Sequence, residues 1–125
     1  MAPLGTLMAF IPTRDGDAAR AFYEKKVGLR FISEDQFAII FQSGINTIRI
    51  TRTGSFTPAP FTILGWESSD IERDVRDMSA RGITFERYEY MGPQDDLGIW
   101  TSPSGAKIAW FKDPDGNTLS IGQLI

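Results

Sequence analysis

Apolar and polar positions along the chain fall into two successive rounds of the same order of elements. Leu7 to Pro12 is apolar at alternate positions on both faces, and reads as a central, buried strand. Asp15 or Asp17 can cap a helix that carries Ala18, Ala19, Phe22 and Tyr23 and ends near Gly28. Leu29 to Ser33 and Phe37 to Gln42 read as strands, with a turn at Ser43-Gly44. Asn46 to Thr51 alternates cleanly, with Ile48 and Ile50 on one side and Thr47, Arg49 and Thr51 on the other. Thr53 to Pro60, rich in Gly, Pro, Ser and Thr, reads as a linker.

The second round opens with a strand over Phe61 to Trp66. Ser69 and Glu72 match a capping box, and the helix behind it places Ile71, Val75 and Met78 on one face before stopping at Gly82. Ile83 to Tyr88 reads as a strand, Met91 to Gly98 as a polar loop, either plainly mobile or able to close over a ligand, and Ile99 to Ser102 as a short strand. Ala106 to Phe111 and Asn117 to Ile121 form a hairpin around Asp113-Pro114-Asp115-Gly116. Residue matches support a duplication. Gly28 to Phe31 aligns with Gly82 to Phe85, and Asn46 to Ile50 with Asn117 to Ile121. The expected fold class is α+β, two βαβββ modules forming an incomplete, barrel-like curved mixed sheet with helices outside. A single domain over 1–125 is expected, with module one at about 7–52, a linker at 53–60 and module two at about 61–123.

Composition narrows the chemistry. At 125 residues, with 42% hydrophobic and 23% charged positions, the chain can bury a core without a metal or disulfide staple. A net charge of −3 argues against nucleic acid as a partner. No apolar run approaches a membrane span and the first residues lack a signal-peptide pattern, so a cytoplasmic protein is expected. Cysteine and histidine are both missing, which removes thiol nucleophiles, the commonest general base and the commonest transition-metal ligands. Any reaction has to run on carboxylates, Tyr, Lys, Arg, Ser and Thr.

Two segments, Ala21-Phe22-Tyr23-Glu24-Lys25-Lys26-Val27-Gly28-Leu29 and Phe111-Lys112-Asp113-Pro114-Asp115-Gly116-Asn117, frame the duplicated order. In them the chain resembles the vicinal oxygen chelate superfamily of glyoxalases, bleomycin-resistance proteins and dioxygenases. The resemblance implies a cleft lined by curled strands, frequent homodimerisation, and in the metal enzymes one His, Glu or Gln ligand from the first and fourth strand of each module. Carried over, those positions fall on Met8, Arg49, Thr62 and Ser120. A thioether, a guanidinium and two hydroxyls do not suit a hard divalent ion, so no metal and no cofactor is expected.

Arg49 can meet a carboxylate or phosphate, or pair with a neighbouring acid. Trp66, Trp100 and Trp110 can wall a planar ligand or fill a core, and Trp66 shares strand parity with Thr62. Phe37, Ile39 and Phe41 share a face that reads as core. Tyr88, Tyr90, Glu86, Glu89, Asp95 and Asp96 offer acid–base groups, but no spacing fixes a pair, and no catalytic residue is named. The leading expectation is a metal-independent binding protein for a small, partly aromatic, anionic molecule, contacted by Arg49, Trp66, Met8, Thr62, Ser120, Trp100 and Trp110. A metal-free lyase or isomerase is the alternative. A metal enzyme with ligands relocated to Glu67, Glu86 or Asp95 comes third.

Overall fold

The computed structural model describes residues 3–124. The chain parts into two compact units at Thr57/Pro58, inside the expected linker. The first unit runs β1 (Met8–Thr13), α1 (Gly16–Ala21) continued by a π-helical stretch (Phe22–Val27), β2 (Arg30–Glu34), β3 (Ala38–Ser43) and β4 (Asn46–Arg52). The second runs β5 (Thr62–Glu67), α2 (Ile71–Ala80), a 3-10 turn (Glu89–Met91), β6 (Trp100–Thr101), β7 (Lys107–Lys112) and β8 (Thr118–Gln123). Each unit builds an open four-stranded sheet, in the orders β1-β4-β3-β2 and β5-β8-β7-β6. The first strand of each unit lies parallel to the last, and the other pairs are antiparallel. The α+β class and the two mixed sheets are those expected.

One face of each sheet is covered by its own helix. In the first unit Ile39, Phe41, Ile48 and Ile50 meet Ala19, Phe22 and Tyr23, and Tyr23 is completely buried with its ring 6.2 Å from Phe41. In the second, Ile71, Val75 and Met78 of α2 are buried with Ala109, Phe111, Leu119 and Ile121 of β7 and β8. Each of the Ile, Leu, Val, Met and Phe side chains among them contributes roughly 1.5–3 kcal/mol by leaving water. The duplication extends to ring contacts. Phe31 pairs with Phe41 edge-to-face at 6.0 Å, and Phe85 bridges Phe111 edge-to-face at 5.7 Å.

Asp15 caps α1 by accepting from the Ala18 amide, and Gly28, at φ 90°, ends the helical stretch in the left-handed region that favours glycine. Four expectations need correction. The strand from Leu7 is not central: β1 is an edge strand, with Met8 55% and Phe10 62% exposed, because its second apolar face lies on the side that has no helix. Phe37 precedes β3 and is 61% exposed, since Asp35 accepts from the Phe37 and Ala38 amides and turns the chain there; Ile39 and Phe41 are core. The cap of α2 is Asp70, which accepts from the Arg73 amide, and not Ser69. Ser68, one residue before Ser69, hydrogen-bonds Asp74 and receives the Asp70 amide. Finally, Ile83 to Tyr88 is no strand. It touches the sheet at the Phe85–Phe111 bridge and through the Glu86 amide to the Trp110 carbonyl, then leaves.

Candidate functional site

The face of each sheet opposite its helix is where side chains remain available. Register partners in neighbouring strands point to the same side, so in the first unit that face carries Met8, Phe10, Ile40, Gln42, Thr47, Arg49 and Thr51. Arg49 is half-buried there and makes no hydrogen bond or ion pair to another described residue. Its charge and that of Arg52 reach Asp35. The Asp35 carboxyl is held below its usual value chiefly by the Phe37 and Ala38 amides, with the two arginines helping and partial desolvation opposing.

In the second unit a one-residue irregularity between Thr62 and Leu64 changes the parity of β5. Thr62 pairs with Thr118, Gly65 with Ser120 and Trp66 with Ile121. Thr62, Thr118, Ser120, Trp110 and Lys112 therefore share the helix-free face, while Trp66 turns to the helix side and stacks at 6.3 Å on buried Phe111. Ser120 lies over Gly65, where a Cβ would come within 2.7 Å of its Oγ.

At one end of this face is a pocket of about 660 Å³, within the usual size range for small-molecule sites. Its floor is Trp110, Thr62, Thr118 and Lys112, and the linker segment Pro58–Phe61 forms one wall. Tyr88, Tyr90 and Met91 form another. The rings make a continuous run: Tyr90 is 5.9 Å from Tyr88, Tyr88 5.5 Å edge-to-face from Trp110, and Trp110 6.0 Å from Trp100. Such a run offers both faces and edges to a planar ligand. Burial raises the Tyr88 phenol above its ordinary value, with Glu86 and Tyr90 adding to the effect and a hydrogen bond with Thr118 opposing it. Tyr88 is thus a neutral donor at physiological pH. Lys112 has no ion pair to a described residue, and no carboxylate lines the pocket.

The structure thus brings together Thr62 and Trp110 in this pocket, with Trp100 behind Trp110. Ser120 lies on the same face outside the pocket wall, Met8 and Arg49 belong to the first unit, and Trp66 points away. The parity reading of Trp66 is overturned by the irregularity after Thr62. Sequence reasoning missed Lys112, Phe61 and the prolines, because a Pro-rich stretch reads as a spacer rather than a wall. Asp95 accepts from the Leu97 and Ile99 amides and is spent on its own turn.

The metal that the fold's enzymes hold can be tested against these residues. Met8 and Arg49 in one unit, and Thr62 and Ser120 in the other, supply no carboxylate or imidazole. Among the described residues no three Asp or Glu side chains converge, so Glu67, Glu86 and Asp95 do not rebuild a site. These four positions do not fit a hard divalent ion.

A duplicated βαβββ scaffold with an aromatic-walled pocket defines a class of small, two-unit proteins. The chain belongs to the Glyoxalase/Bleomycin resistance protein/Dioxygenase superfamily, whose family model matches residues 5–121. Its fold is shared by TnmS3, an antibiotic binding protein from Streptomyces sp. CB03234, at 20% identity and a TM-score of 0.75 over 100% of this chain and 99% of that one. A lactoylglutathione lyase from Agrobacterium tumefaciens matches at 18% identity and 0.73, over 98% and 96%. A superfamily member from Sphaerobacter thermophilus matches at 20% and 0.75, over 98% of each chain. A sequence comparison with curated proteins gives no match.

Proposed function

We propose that this protein binds a small, partly aromatic, anionic molecule without a metal, in the pocket of its second unit. The observation that carries the reading is the pocket's composition. A run of rings from Tyr90 through Tyr88 to Trp110 stands beside Lys112, which has no ion pair to a described residue, and the hydroxyls of Thr62 and Thr118, with no acid among the lining residues. Rings take the planar body of a ligand, and the ammonium with its hydroxyl neighbours takes the charged end. TnmS3 supports the reading in that the same fold serves antibiotic binding there. Arg49 is a candidate anion contact of the first unit. The protein is further proposed to act as a symmetric homodimer in the cytoplasm. The exposed Leu7, Met8 and Phe10 along the β1 edge are an apolar surface suited to a second copy.

Calorimetric titration with 2-naphthalenesulfonate and with uncharged 2-naphthol tests the core of this proposal. The sulfonate should bind more tightly. Lys112→Ala should weaken it by roughly five- to tenfold, the worth of one solvent-accessible charge-assisted contact, and leave the naphthol unchanged. Trp110→Ala should weaken both. Absence of binding by any aromatic probe sinks the reading, equal affinity for the two probes removes the anionic part, and an unchanged Arg49→Ala removes Arg49. Sedimentation of the same samples should report a dimer.

A further inference from the structure

The outer edge of the second sheet is broken. β2 runs alongside β3 in the first unit, but β7 meets Phe85 near one end and Trp100–Thr101 near the other, and the chain between them leaves the sheet. Leaving a sheet strands backbone donors and acceptors, which must find partners elsewhere. Gln94 takes them up. Its Oε1 accepts from the Tyr88 amide at 2.7 Å, and its Nε2 donates to the Glu86 carbonyl at 3.0 Å and the Gly98 carbonyl at 2.7 Å. An acceptor for residue 88 and a donor for residue 86 is the pair a parallel neighbouring strand offers across the residue between them. The carboxamide of Gln94 stands in for that strand.

Its backbone also bridges Trp100, and the Trp100 indole donates to the Met91 carbonyl at 2.8 Å. Tyr88 to Met91 is therefore held at both ends. This is the segment that gives the pocket Tyr88, Tyr90 and Met91.

We propose that Gln94 is a positioning residue that sets the aromatic wall of the pocket without itself lining it; the proposal rests on the pocket reading above. Few side chains could replace it. Asn is a methylene short, Met has no donor, and an ionised Glu would turn oxygen toward the Glu86 and Gly98 carbonyls.

Glutamate at this position makes the test. At about pH 7.5 Gln94→Glu should bind 2-naphthalenesulfonate about tenfold more weakly than the wild type, the cost of losing such part-buried hydrogen bonds. Near pH 4.5 the carboxyl, its pKa raised by the facing carbonyls, should regain its proton and one donor, and much of the deficit should disappear. Gln94→Met should show the loss with no recovery. Wild-type affinity in either variant, or a Gln94→Glu deficit independent of pH, overturns the proposal. Hydrogen exchange at the Tyr88 amide gives a reading that needs no ligand and keeps the test decisive if Gln94→Glu does not fold. Exchange should be slow in the wild type and fast in Gln94→Met, and equal rates overturn the role of Gln94. A wild type that binds no probe defeats the pocket reading, and the amide rates then decide the latch by themselves.

Discussion

Tyr88 occupies the junction of the site: its ring edge meets Trp110, its hydroxyl meets Thr118, and its amide is held by Gln94. Because burial raises the phenol's pKa in the folded state, the folded protein holds that proton more tightly than the unfolded chain does. That stabilising contribution is fully present below the ordinary tyrosine value of 10.0 and is lost as pH rises through the higher folded value. The melting temperature of the wild type should therefore fall more steeply above about pH 10 than that of Tyr88→Phe, and parallel curves would remove the claim. Lys112, two residues along β7 from Trp110, shows why the candidate site was only partly readable from sequence. A lysine beside a DPDGN turn looks like a solvated strand end, and only the register that puts it opposite Thr118 places it at the pocket. Trp66 fails in the reverse direction: one extra residue in β5 was enough to send it to the helix side.

Elements were more legible than side chains, for a physical reason. Strands β3, β4, β7 and β8 each bury one face under a helix, so their alternation is written into the sequence and their bounds were close to those expected. Ile83 to Tyr88 carries the same kind of pattern yet makes one bridge, because a glutamine side chain satisfies its backbone instead of a strand, and nothing local announces a partner several residues ahead. The start of α2 shows a similar contest between neighbours. Ser69 has the motif, but Asp70 has a non-helical backbone, φ −153° and ψ 84°, and the bond to the Arg73 amide. Asp70→Ala should cost about 1 kcal/mol in urea unfolding, the typical worth of a cap. Exposed Ser69→Ala should stay within about 0.5 kcal/mol of the wild type. The opposite ranking would restore the capping box.

At the scale of the whole molecule, the duplicated scaffold is retained while its two copies have diverged. Phe31–Phe41 and Phe85–Phe111 preserve one ring contact in both units, and both sheets keep the parallel pairing of first and last strands. Carried over from the family resemblance, the strand positions at which metal enzymes of this superfamily draw ligands fall on Met8, Arg49, Thr62 and Ser120. Packing constrains the ring pair, since a change there opens a cavity under a helix. The helix-free faces are packed unevenly: Trp110 and Thr118 are buried there, while Met8 and Phe10 are exposed. A cation at Arg49 opposes any divalent ion by charge, and because Met8, Thr62 and Ser120 offer neither carboxylate nor imidazole, substitution of Arg49 alone would not be expected to create a metal site. An ion that bound the folded chain at a thousand times its Kd would stabilise it by about 4 kcal/mol, a rise in Tm of roughly ten degrees or more for a domain of this size. Thermal unfolding in millimolar Zn²⁺, Ni²⁺, Mn²⁺ or Fe²⁺ should show no such rise over the metal-free protein. Elemental analysis of untagged protein should find none of them at stoichiometry. A rise with any one ion, or one equivalent of it in the purified protein, would overturn the metal-independent reading and place the ligands outside the four inherited positions.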